Sequence, residues 1–352
     1  HAVLLGGRKA NPMLVGQSST SDCRWARTQP VGNVMQRIMA WVLRKTIRRG
    51  AHSVTVDEAS IQAAVAQCDP DAIQILVPTH RSYMDFMLCS YIFFARPHLG
   101  VGIPHIAATE DFQKVPVLGK MFEKAGAFYI KRGVGREDPT LTRQITELTR
   151  RRLTLEFYIE GTRSRSARFL APKRGLLRAL QSTGQNFVIL PLAMSYEQMP
   201  EENSFLRELS GENKDKQSLK PVFSWFKRLI KNEVNVGRVH VSCGAPVPLI
   251  QDSDIPSVCH TVLAQLQQNL VCTTHHLACF LQHNPRLTVD VSALKAMIHA
   301  RGGVVLDSGL DSTALQNTSH PHSERRTQGL WLHHFYGDAL AHYGNHPAVQ
   351  WH

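Results

Sequence analysis

From Ile73 onward, short apolar runs alternate with helix-period segments, and this alternation restricts the possible fold more than any other property of the chain. The runs IQILVPT, VGIPHIAA, AFYI, LTLEFYIE and FVILPLAMSY are separated by helical patterns over about 82–95, 112–125, 138–152 and 173–183. Parallel strands need crossovers of this length, whereas hairpins do not. The pattern therefore predicts an α/β fold with a mostly parallel central sheet flanked by helices. Before it, VMQRIMAWVLRKTIRR (34–49) spaces its apolar residues as an amphipathic N-terminal helix. That helix suits packing on a core, and its basic polar face also suits a membrane surface. Residues 1–32, rich in Gly, Ser and Thr, read as a loose leader, 33–252 as the α/β domain, and 253–352 as a helical C-terminal extension.

In sheets of this kind, ligands gather where the carboxyl ends of strands meet helix N-termini. Three predicted strand ends carry reactive or charged residues: His80, the pair Lys131–Arg132, and the segment Glu160–Arg165. Charge is concentrated in the same region. The chain carries +12, and between Gly126 and Arg178 there are 13 Lys or Arg against 5 Asp or Glu. A cluster of that sign calls for an anion, whether nucleic acid, a phospholipid surface or a phosphorylated small substrate. No run of about 18 uncharged apolar residues is present, so no spanning helix is expected. Seven scattered cysteines suit a reducing compartment. The chain begins at His1 rather than Met, which points to an N-terminus that continues upstream, with any targeting segment there out of view.

His80 and Asp85 stand five residues apart, across a turn into a predicted helix. A neutral imidazole accepts a proton near pH 7, and a carboxylate on its other nitrogen fixes the tautomer and stabilises the cation that forms. There is no G-x-S-x-G elbow, so the pair suits activation of a substrate hydroxyl rather than a covalent intermediate. Downstream, EFYIEGTRSRS offers Glu160, Gly161, Thr162, Arg163, Ser164 and Arg165. Residues two apart on an extended segment face one side, so Arg163 and Arg165 can converge on one phosphate. Gly161 would let the backbone approach it closely.

HRSYMD, GAFYIKR, FYIEGTRSRS and VILPLAMSYE occur in that order, and together they resemble the four sequence blocks of the glycerolipid acyltransferase superfamily. Within it the chain looks most like the dihydroxyacetone phosphate and glycerol-3-phosphate acyltransferases, with the SA…PK.GLL detail leaning to the former. The resemblance covers roughly residues 34–250. It implies acyl transfer from acyl-CoA, as co-substrate, to a phosphorylated three-carbon alcohol, without metal or other cofactor. On that basis His80 is the base and Asp85 its partner. Arg81, Lys131, Arg132, Glu160, Gly161, Thr162, Arg163, Ser164 and Arg165 bind substrate, and Pro191 lies on the acyl-donor side. Two departures stand out. Lys131 replaces the commoner arginine, and the chain ends VQWH without the small-Lys-Leu peroxisomal address of many members. The expected setting is a peripheral membrane surface, peroxisomal first, with the mitochondrial outer membrane or endoplasmic reticulum as alternatives.

Three rivals compete. Cys272, His276, Cys279 and His283 have helical spacing, with His333–His334 further on, but one continuous helix cannot wrap four ligands around a tetrahedral metal. Nucleic-acid binding would use the positive charge, yet the basic cluster lacks interleaved aromatics and any known motif. A non-catalytic lipid-surface protein would have no use for the His80–Asp85 pair.

Overall fold

Strands form where β-branched and aliphatic residues run uninterrupted, and helices where the apolar period lengthens to three or four. The computed structural model describes residues 2–3, 34–110, 116–130, 139–164, 169–199, 236–283, 290–300 and 303–309, with positions 201, 205, 208, 227, 228 and 231. The chain opens with β1 (Ala2–Val3), α1 (Val34–Gly50), β2 (Ser53–Val56) and α2 (Glu58–Ala66). Then follow β3 (Ile73–Pro78), α3 (Met84–Ala95), β4 (His105–Thr109), α4 (Pro116–Ala125), β5 (Phe128–Ile130), α5 (Pro139–Arg150), β6 (Leu155–Glu156), α6 (Gly175–Gln181) and β7 (Phe187–Tyr196). After these come β8 (Arg238–Cys243), β9 (Val247–Leu249), α7 (Ile255–Gln268), β10 (Cys272–Thr273), α8 (Thr274–His283), α9 (Val291–Ala300) and β11 (Val305–Leu306).

Among the described residues, nine strands form one sheet in the order β1-β2-β8-β7-β3-β6-β4-β5, with β9 antiparallel to the start of β7. Strands β3 to β7 are mutually parallel, so all their carboxyl ends lie along one edge. The expected mostly parallel sheet is present, and β8 and β9 against β7 and β1 against β2 are its antiparallel departures.

Alternation within β3 assigns its side chains to two layers. Ile73, Ile75 and Val77 join Leu155, Phe157, Phe187 and Ile189 on one face, beneath Leu141 of α5, Leu177 of α6 and Val258 and Val262 of α7. Leu76 joins Leu190 and Leu192 on the other face, with Leu43 of α1 and Met87 and Leu88 of α3. Both faces are covered, which explains why β3 reads as a continuous apolar run. Each such side chain contributes about 1.5–3 kcal/mol on burial, enough to fix α3 firmly on the sheet. The helical extension expected from 253 begins with α7, whose Asp254 caps it by accepting from the Ser257 N–H at 2.9 Å. Because α7 packs on β7 and β9, the sheet's covering layer continues past residue 252. Of the expected leader, Ala2 and Val3 pair with Val56 and Thr55, and positions 4–32 lie outside the described residues.

Pro191 sits inside a central strand, normally a forbidden place for a residue without an N–H. The topology explains the exception. On one side β7 pairs with β9 through Ile189 and with β8 from Leu192 onward, so Pro191 occupies the handover, where its carbonyl accepts from Gly244 N–H at 2.9 Å.

Helix α1 keeps Ala40, Leu43 and Ile47 in the core, yet Val34, Ile38 and Trp41 are 71%, 50% and 58% exposed. The Lys45 ammonium lies over the Trp41 ring at 3.9 Å. No helix among the described residues is long and apolar enough to cross a membrane.

Candidate active site

Thr79, the first residue beyond β3, staples the strand end to β7. Its N–H donates to Leu192 O at 3.0 Å, and its hydroxyl both donates to Met194 O and accepts from Met194 N–H. His80 follows at a fixed position on the carboxyl edge. Asp85, in the first turn of α3, is fully buried and collects the turn around itself. Its Oδ2 accepts from Arg81 N–H at 2.6 Å and Ser82 N–H at 2.8 Å, and its Oδ1 accepts from the Tyr196 hydroxyl at 2.7 Å. The His80 Nδ1 lies 3.4 Å from Oδ2. A carboxyl partner on Nδ1 selects the tautomer with Nε2 free to accept a proton.

The His80 side chain is 20% exposed, and its ring stacks on Tyr158 with centroids 4.0 Å apart at 22°. Burial pushes its pKa below the ordinary 6.5, and the positive charge of Arg163 pushes the same way, against opposing pulls from Asp85 and Glu160. The part-open ring moderates the burial effect, but Arg163 acts in the same direction, so the imidazole is neutral at pH 7.

Glu160 and Arg81 form the second layer. Glu160 Oε1 accepts from Arg81 Nη1 at 3.2 Å and lies 3.4 Å from His80 N–H, and its Oε2 accepts from Leu170 N–H at 2.9 Å. Arg81 is 1% exposed and lies over the Phe169 ring. The structure therefore places Arg81 inward, as the brace that ties the His80 turn to the 160–170 segment. Gly161 turns that segment with φ 67°, a left-handed conformation, and a Cβ there would come within 2.9 Å of Lys173 Cγ.

Arg163 comes back to the same turn. Its guanidinium lies 3.6 Å above the Tyr83 ring and 5.2 Å from that of Phe205, with Nη1 3.3 Å from Glu201 Oε1. Thr162 is part-exposed and Ser164 buried. Lys131 and Arg132 follow β5 directly, and Arg165 follows Ser164; all three lie outside the described residues. His80, Asp85, Glu160 and Arg163 thus meet at one edge of the sheet, while Pro191 lies buried opposite Val77 in β7.

Sequence reasoning missed Glu201, Tyr196 and Tyr158. Glu201 accepts from Tyr83 N–H at 2.8 Å and from the Ser82 hydroxyl at 2.9 Å, closing the N-terminus of α3 from 119 residues away. Nothing local marks such a partner. Tyr158 had a signal: in LEFYIE the apolar Leu155, Phe157 and Ile159 point to one layer, so Glu156, Tyr158 and Glu160 must share the opposite side.

Of the histidine-rich segment, His276 is held structurally, and His333 and His334 lie outside the described residues. Cys272 lies on β10, and the helix begins only at Thr274, so the expected continuous helical face is broken there. His276 accepts from Thr273 N–H at Nδ1 and donates from Nε2 to Glu197 O at 2.8 Å, which occupies both nitrogens. Burial lowers its pKa to about 4. Among the described residues no group of three or more His, Cys, Asp or Glu is arranged to hold a metal.

Comparison with known proteins points to a family. The model of the Acyltransferase family matches residues 58–195. Residues 58–195 are thus similar to an acyltransferase domain. The match includes His80, Asp85, Glu160, Arg163 and Pro191. A glycerol-3-phosphate acyltransferase of Xanthomonas campestris pv. campestris is 28% identical over 288 residues, 74% of this chain and 31% of that protein. Another, of Pasteurella multocida, is 36% identical over 183 residues, 50% of this chain and 22% of its own length. The chain thus spans at most about a third of these two relatives. Among solved structures, the 1-acyl-sn-glycerophosphate acyltransferase PlsC of Thermotoga maritima aligns at 18% identity and TM-score 0.40, over 66% of this chain and 76% of its own.

Proposed function

We propose that the acyltransferase domain moves a fatty acyl group from a thioester donor, acyl-CoA, to a hydroxyl of glycerol 3-phosphate. The observation that carries the proposal is the juxtaposition of His80, paired with Asp85, and the Arg163 guanidinium on one edge of the sheet. His80 takes the acceptor's hydroxyl proton at Nε2 as the oxygen attacks the thioester carbonyl. The ester C–O bond forms, the C–S bond breaks, and the coenzyme A thiolate leaves and regains the proton. Asp85 steadies the transient imidazolium. Arg163, with Arg132 and Arg165, holds the phosphate so that the hydroxyl meets the base in one orientation.

Between α1 and α3 runs an apolar groove whose lining includes Met39, Leu43, Phe86, Tyr91, Phe94 and Ile106. It starts at the residue next to Asp85, which suits an acyl chain entering beside the base. The exposed Val34, Ile38 and Trp41 of α1, with Arg44, Lys45 and Arg48 on the same helix, suit an anionic lipid surface.

Dihydroxyacetone phosphate was the first expectation from the sequence, and the names of the relatives favour glycerol 3-phosphate instead. A peroxisomal address draws no support from them. The test offers labelled glycerol 3-phosphate and dihydroxyacetone phosphate separately, with acyl-CoA and anionic phospholipid vesicles. Acylated glycerol 3-phosphate in the vesicle fraction is expected. Acylation of dihydroxyacetone phosphate alone overturns the acceptor assignment.

A further inference from the structure

Directly behind His80 lies a carboxyl that acyl transfer, as described above, does not use. Glu156 ends β6, in the middle of the sheet, and is fully buried. Its neighbours in register are Leu76 on β3 and Ile106 on β4, so neither flanking strand offers it a charge. From α3 it faces Asp85 and the Cys89 thiol. Its Oε1 accepts from the Tyr158 hydroxyl at 3.0 Å, and the Cys89 thiol is its other hydrogen-bonding neighbour. Tyr158 in turn carries the ring on which His80 stacks. The connection is therefore continuous: a buried carboxyl, a phenol tethered to it, and the imidazole resting on the phenol's ring.

An ionised carboxylate in that place would be costly, with an apolar strand on each side and Asp85 as the nearest carboxyl. The protonated form fits: the carbonyl oxygen accepts from Tyr158, and no charge is added to those of Asp85 and Glu160 that already act on the base. Burial accordingly pushes the Glu156 pKa up to about 8, against the lowering pull of hydrogen bonds from the Cys89 thiol and the Tyr158 hydroxyl, with Asp85 adding to the rise.

We propose that Glu156 is a positioning residue for the His80 base, a carboxyl that anchors the Tyr158 ring under the imidazole without adding a further charge to those of Asp85 and Glu160. This rests on His80 being the base of the proposed acyl transfer, but the geometry makes a demand that acyl transfer does not. The state of Glu156 must be visible at His80 even with no substrate present. Raising the pH through about 8 removes the Glu156 proton, which places a new negative charge behind the ring and disturbs the Tyr158 tether.

The test is a proton NMR titration of the His80 ring in the unliganded protein, with Glu156→Gln and Glu156→Ala beside the parent chain. Three results are expected. The parent shows a second inflection of the His80 resonance near pH 8, above the imidazole's own titration. Glu156→Gln, which keeps a neutral acceptor for Tyr158, retains the ring-stacking shift and loses the second inflection. Glu156→Ala loses the stacking shift. In turnover assays Glu156→Gln stays near the parent, while Glu156→Ala falls about 10–100-fold in kcat with KM for the phosphorylated acceptor unchanged. A second inflection that persists in Glu156→Gln, or a His80 resonance unmoved by Glu156→Ala, overturns the proposal. If the parent shows the NMR signature but acylates neither acceptor, the proposed reaction fails while the positioning role stands.

Discussion

His80→Ala is expected to lower acyl transfer by about 10²–10⁴-fold in kcat, the usual contribution of a positioned general base. The substitution should leave the fold intact. His80 makes one long contact with Asp85, at 3.4 Å, and stacks on Tyr158, but it fills no core position. The acceptor's KM should change little, because the phosphate is assigned to the arginines. Steady-state kinetics with an unfolding curve on the same sample separate these effects. A loss of activity that tracks a loss of folded protein would assign His80 a structural role instead.

Asp85→Ala is expected to be worse, because it damages both function and stability. The fully buried carboxylate accepts from Arg81 N–H, Ser82 N–H and the Tyr196 hydroxyl. Removing it strands three donors away from water, each worth about 1–3 kcal/mol when unsatisfied. A total near 3–5 kcal/mol is a large fraction of a domain's stability. Urea unfolding should show a clearly lower midpoint, with activity lost even at temperatures where the variant remains folded. Asp85→Asn keeps an acceptor oxygen and should recover part of the stability while the imidazole loses its charged partner. If Asn and Ala variants prove equally stable to the parent, the hydrogen-bond network around Asp85 carries no weight.

Much of the sheet was legible in the sequence because period two and period three to four leave different marks. The helices expected over about 82–95 and 138–152 form at Met84–Ala95 and Pro139–Arg150. His80, Asp85 and Glu160 were legible for the same reason: each sits where an apolar run stops on a polar residue that a mere turn does not need. What joins them was not. Tyr196 reaches Asp85 across 111 residues, and Glu201 reaches Ser82 across 119, because β7 lies beside β3 in the sheet. Only strand order brings those side chains together, and local pattern does not encode strand order. Arg81 illustrates the converse. Its neighbours in sequence face the site, but the tight turn around Asp85 sends its own side chain inward to Glu160.

The central claim is that an imidazole base and a phosphate-holding guanidinium share one pocket, and the His80 resonance tests it directly. In the free protein the imidazole should titrate below 6.5, since burial and Arg163 both disfavour its cation. Saturating glycerol 3-phosphate brings a phosphate dianion near the ring, favours the cation, and should raise that midpoint. Arg163→Ala should abolish the rise at the same ligand concentration. A His80 midpoint indifferent to glycerol 3-phosphate, or a rise that survives the loss of Arg163, contradicts the shared pocket.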